Sequence, residues 1–127
     1  MADSDRVMVA AIEAEFLRYK KLGEGAIAQM RDDELGRAGP GGGSSVTIIV
    51  WHIGGNLTSR FTEFLTTDGE KPGRDRDSEF IDRSVSRQEL LAYWERGWTI
   101  LFEAVGALSD THLKGDVTIR KQRYAVR

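Results

Sequence analysis

In the stretch HIGGNLTSRF, residues 52–61, a histidine, an asparagine and an arginine recur at every fourth position. On a helix His52, Asn56 and Arg60 lie along one side. Imidazole, with an ordinary pKa near ~6.5, serves as a neutral metal ligand or as a general acid–base. The apolar residues around it place His52 on the flank of the helix, roughly 130° from the centre of the apolar stripe at 3.6 residues per turn. Gly54 and Gly55 are unfavourable inside a helix, which points to a bend or to a close approach by another segment. The same residues also read as a surface histidine beside a packing pair of glycines. A second group, RDRDSEF at residues 74–80, offers Arg74 and Arg76 as bidentate donors to an anion. Asp75, Asp77 and Glu79 are close enough in sequence to satisfy them instead, as a salt-bridged loop.

Ligand arithmetic limits the metal chemistry. A catalytic zinc-type site takes three protein ligands and a structural one four. The chain has two histidines, His52 and His112, and no cysteine. A full site would draw on carboxylates such as Glu63, on Asn56, or on a second chain. There is no HExxH, no ExxH pair of the di-iron type and no Ser–His–acid arrangement. The glycine-rich GPGGGSS before a helix lacks the lysine of a phosphate-binding loop and reads as a flexible linker.

These residues need elements to carry them. Met8, Ile12, Phe16, Tyr19, Leu22, Ile27 and Met30 give a first helix from about Ser4 to about Glu34, with Ser4 as its cap and Asp5 at its positive end. Gly23 and Gly25 mark a bend or a close helix contact within it. Residues 36–45, GRAGPGGGSS, break the helix. Ser44 or Ser45 caps a second helix running to about Leu65, with Val46, Ile49, Val50, Ile53, Leu57, Phe61 and Phe64 on its apolar side. Ser86 and Glu89 form a capping box for a third, whose buried side is Leu90, Leu91, Trp94, Trp98, Leu101, Phe102 and Val105. Tyr93, Trp94 and Trp98 read as core aromatics rather than a ligand pocket. The tail VTIRKQRYAVR opens with a β-branched alternation and has no helical face. About 20 residues separate helices two and three, far more than the 2–8 of a tight helical hairpin. That length allows a crossover which leaves the two helices pointing the same way, as in one class of four-helix bundle.

Composition bounds the rest. The 127 residues suit a single domain, spanning 1–127. The 40% hydrophobic and 30% charged residues are a globular mixture, and a net charge of −2 gives no nucleic-acid surface. With no cysteine, no signal-like start and no apolar run near the ~20 residues of a membrane span, the expectation is a cytoplasmic protein.

Two blocks resemble a known family. WHIGGNLTSRFTEFLTTDGEKPGRDRDSEF, residues 51–80, and YWERGWTILFEAVGALSDTHLKGDVTIR, residues 93–120, resemble an uncharacterised branch of the DinB-like superfamily. With helix one, the resemblance covers nearly the whole chain. It implies an all-α, up-down-down-up four-helix bundle. It also implies a divalent metal, zinc or nickel, held by three histidines in many members: one on helix two, where His52 stands, and two in an HxxxH on helix four. Asn56, Arg60, Asp68, Arg74, Arg76 and Glu79 match the branch without an assigned role. This chain has no HxxxH, and His112 does not match a helix-four ligand, so only His52 carries over. The expectation is a C-terminally incomplete bundle, with the fourth helix missing or partial. It would be a remnant of a metal-dependent hydrolase or thiol transferase, or a non-catalytic scaffold or dimerisation protein. Three helices without a fourth leave apolar faces open, which implies a homodimer or swapped assembly.

Overall fold

The structure, a computed structural model, describes residues 5–81, 83–119 and 122–125. Three long helices dominate it: α1 (Val7–Ala28), α2 (Val46–Phe61) and α4 (Arg87–Gly106), with a one-turn helix α3 (Arg76–Glu79) between the last two. The chain then forms a short antiparallel hairpin, β1 (Asp116–Ile119) with β2 (Gln122–Ala125), Asp116 opposite Ala125 and Ile119 opposite Gln122. This hairpin is the departure from an all-α chain, and it falls in the tail where the β-branched alternation begins. No helix among the described residues is long and apolar enough to cross a membrane.

Helix α1 is shorter at both ends than its apolar pattern suggests. Ser4 lies outside the described residues, and Asp5 is not in the first turn, which contains no acidic residue. The cap comes from far along the chain: the Met8 and Val9 amides donate to the two carboxylate oxygens of Asp110 at 3.1 and 2.9 Å. At the other end Arg87, at the start of α4, donates to the carbonyls of Ile27 (3.0 Å) and Met30, and to Asp32 Oδ1 at 2.6 Å. A carboxylate at the positive end and a guanidinium at the negative end both favour the helix dipole. The polar run after Ala28 prefers its own turn, where the Arg31 amide donates to Glu34 Oε1 at 2.7 Å.

Helix α2 begins as read, with the Ser45 hydroxyl accepting from the Ile48 amide at 3.1 Å. It stops at Phe61 rather than Leu65. Thr62 turns to an extended ψ of 113° and bonds its hydroxyl back to the Thr58 carbonyl at 2.6 Å. Glu63 then takes a left-handed φ of 48°, which ends the helix. Helix α4 carries the Ser86–Glu89 capping box.

Contacts give the helix directions. Trp51 stacks on Tyr93 with centroids 4.1 Å apart and planes 2° from parallel. Gly54 meets Gly97, and Phe61 shares a groove with Ile100 and Ala104. Numbers rise together, so α2 and α4 run the same way, and residues 62–86 return the chain along the bundle. Against α1 the numbers oppose: Trp94 Nε1 donates to Glu24 at 3.1 Å, Phe16 meets the edge of Trp98, and Arg6 Nε donates to the Leu108 carbonyl at 2.8 Å. Helix α4 thus supplies the largest share of the core, through Leu90, Trp94, Trp98, Leu101 and Val105, closed by Val50 and Leu57 of α2, Val9 and Ile27 of α1, and Leu35 and Leu108 outside the long helices.

The helices meet at glycines. A methyl on Gly97 would sit 3.0 Å from the Gly54 Cα, and one on Gly23 would sit 2.8 Å from Trp94 Cη2. Gly23 is therefore a close-contact glycine, whereas a methyl on Gly25 meets nothing within 4 Å. Replacing Gly97 by alanine drives Cβ into backbone and should cost about 1–3 kcal/mol. Gly25→Ala should add up to about 1 kcal/mol through helix propensity alone. Urea unfolding of the two variants checks this; equal midpoints would contradict the proposed helix contact.

Candidate functional site

The second glycine of the pair in α2 makes room for a charge. A methyl on Gly55 would lie 1.9 Å from Glu79 Oε2. Glu79 is only 4% exposed, at the end of α3, and a carboxylate taken that far out of water needs strong partners. Helix α3 itself is set by Asp75, whose Oδ1 accepts from the Ser78 amide at 3.2 Å while Ser78 Oγ donates to the Asp75 carbonyl at 2.8 Å.

Arg74 supplies the first partner. Its Nε and Nη2 donate to Glu79 Oε2 and Oε1, each at 2.9 Å, a bidentate pair with both side chains buried. The carboxylate holds the guanidinium above its ordinary pKa, against the opposing effect of burial. His52 supplies the second: Nδ1 stands 3.1 Å from Glu79 Oε1. An ionised carboxylate only accepts, so Nδ1 carries the hydrogen, and the neutral imidazole has its lone pair on Nε2. The ring is half-buried and tilts against Phe80 at 5.0 Å.

The charges continue along α2. Arg74 Nη1 lies 3.7 Å from Glu70 Oε2, and Arg60 Nη2 lies 3.8 Å from the same oxygen. His52, Glu79, Arg74, Glu70 and Arg60 therefore form one alternating series spanning two turns of α2. Of the residues singled out in sequence, His52, Arg60, Arg74 and Glu79 come together. The others do not join them. Asp68 Oδ1 caps a turn by accepting from the Glu70 amide at 2.8 Å. Arg76 opens α3 with its Nε buried and unbonded among the described residues. Asn56 makes no side-chain hydrogen bond among the described residues.

Sequence reading missed the link, Glu70, which meets Arg74 and Arg60 from an irregular loop where no helical spacing announces the pairing. It also missed the lock that holds this loop down. Ser59 is buried, donates to the Gly69 carbonyl at 2.7 Å and accepts from the Lys71 amide at 2.9 Å. Lys71 Nζ donates to the carbonyls of Ser59 (2.7 Å) and Asp68 (2.5 Å). Burial pulls the Lys71 pKa down, only partly offset by the nearby Asp68 and Glu63 charges. Tyr93, whose ring fills the space that a methyl on Gly54 would occupy, has its hydroxyl pKa raised, by burial first and by Glu79 second.

For a metal this arrangement offers one donor. Both Glu79 oxygens are occupied inside the protein, leaving His52 Nε2. Among the described residues no group of three or more histidine, aspartate and glutamate side chains is gathered in a way that could hold an ion. The described residues therefore do not by themselves meet the three or four ligands a zinc-type site requires. A family model described as "Protein of unknown function (DUF1572)" matches residues 3–127, nearly the whole chain. Comparison with curated proteins and with solved structures returns no match.

Proposed function

We propose, for a chain that belongs to the DUF1572 family, that it is a DinB-like helical-bundle protein in which His52 is held as a nitrogen ligand for a divalent metal. The supporting observation is the hydrogen bond from His52 Nδ1 to Glu79. Metal-ligating histidines almost always donate their other ring N–H to a carboxylate, carbonyl or water, which settles the tautomer and aims the ligating nitrogen. Here that carboxylate is itself anchored by Arg74. The same-direction pairing of α2 and α4, joined by a crossover, supports the up-down-down-up bundle order. The further ligands come from a second copy of the chain. On this reading the chain contributes to a metal-dependent hydrolase or thiol transferase, or retains a remnant of one. Equilibrium dialysis of metal-stripped protein against zinc or nickel, followed by elemental analysis, tests it. Stoichiometric uptake is expected, abolished in His52→Ala and weakened about 10–100-fold in Glu79→Gln. No uptake, or equal uptake by His52→Ala, overturns the reading.

A second reading is a non-catalytic scaffold that associates through α1. It is favoured by Met8, Tyr19 and Leu22, which lie on one side of that helix and are each more than half exposed. His52 then serves only to pin α3 to α2. The occupant of the open side is a second copy of the chain, as a homodimer or swapped assembly. Light scattering at micromolar concentration should then give a dimer, shifted to monomer by Tyr19→Glu; a stable wild-type monomer removes this reading.

A further inference from the structure

Helix α2, the 71–79 segment and α4 border an open cavity of about 450 Å³, lined by Glu79 but not by His52. Its volume lies in the range of about 300–1,000 Å³ that small-molecule sites occupy. Trp51 and Tyr93 add apolar surface to its lining; their rings stack on each other, and the Arg83 guanidinium lies over the Trp51 ring at 4.7 Å.

Its polar lining is unbalanced. Lys71 Nζ spends two hydrogens on backbone carbonyls, and no carboxylate lies within ion-pair distance of it among the described residues. Arg96 has neither an ion pair nor a hydrogen bond among the described residues. The hydroxyls of Tyr93 and Thr58 also make no hydrogen bond there, and Arg74 Nη1 is buried without one. The acidic groups on the lining are already committed: Glu79 to Arg74 and His52, Asp75 to the start of α3. Unspent donors and positive charge that Asp68 and Glu63 offset only in part thus line a common space, so a ligand matching it is rich in acceptors and negative. The desolvation that lowers the Lys71 pKa points the same way, since a bound anion would return the charge compensation which burial withholds.

We propose that this cavity is a binding site for a small organic anion, its carboxylate or phosphate group received by Lys71, Arg96 and the Tyr93 and Thr58 hydroxyls, and its body packed against the apolar surface of Tyr93 and Trp51. The cavity adjoins His52 through Glu79, and anion binding in it does not depend on a metal at His52.

Calorimetric titration of the whole chain with benzoate, and separately with inorganic phosphate, tests it, at constant ionic strength with chloride as the reference. Saturable binding of at least one is expected, weakened about tenfold in Arg96→Gln, roughly 1.4 kcal/mol, with partial recovery in Arg96→Lys. Because Arg96 is exposed and bonded to nothing described, its loss should leave the fold intact; Lys71→Gln should weaken binding further. Benzoate alone binding assigns a carboxylate on a flat body, and phosphate alone assigns a phosphate. The site is overturned if neither binds above chloride, or if both variants bind as the wild type does.

Discussion

A single buried carboxylate, Glu79 pressed against Gly55, constrains the structure around it. Burying it unpaired would be prohibitive, so the chain must bring a cation to it. Arg74 does so with two parallel hydrogen bonds, the geometry in which a guanidinium–carboxylate pair is strongest. Removing one member of such a buried pair costs about 3–5 kcal/mol, since the other charge is left unpaired. The demand propagates outward. Helix α2 can carry no side chain at position 55, and α3 must hold Glu79 over that gap. The loop before it must be pinned so that Arg74 arrives in register, which Ser59 and Lys71 accomplish through backbone carbonyls and amides.

The same economy of small residues governs the helix packing. Gly54 and Gly97 let α2 and α4 approach until backbone meets backbone, and that closeness brings Tyr93 onto Trp51. Helix α1 is held differently. Its ends are satisfied by Asp110, just beyond α4, and Arg87, the first residue of α4, so the bundle supplies caps that the local sequence lacks. Its middle is held to α4 through Trp94, Trp98 and the Lys20–Glu95 ion pair. Its opposite side stays open, with Tyr19 and Leu22 facing water.

Much of this is legible from residues alone, for a physical reason. Helical period and local capping act over three or four residues, so the buried side of α4, most of that of α2, the caps Ser45 and Ser86 and the length of the crossover all show in the sequence, whereas Met8, Tyr19 and Leu22 of the stripe read for α1 face water and the buried Val9 lies outside it. The close approach at Gly54 and Gly55 was readable as well, since paired glycines in a helix require a cause. What it was that approached was not readable. Glu79 and Tyr93 are 24 and 39 positions from their glycines, and nothing local couples them. The ends of α1 failed for the same reason: its caps come from Asp110 and Arg87, and its apolar stripe runs on past the point where those partners stop it. Helix α2 was read four residues too long because Phe64 continues the apolar period, while Thr62 and Glu63 break the backbone. That Glu79 in particular is the loop group His52 bonds could not be read, although both residues stood out.

The account turns on the proton position in His52. Long-range ¹⁵N–¹H correlation of the imidazole at a pH where it is neutral reports that position directly. The structure predicts a protonated Nδ1 and a bare Nε2, with the preference for that tautomer lost in Glu79→Ala. A ring carrying its proton on Nε2, or one indifferent to Glu79, would contradict the buried carboxylate as the group that orients this site.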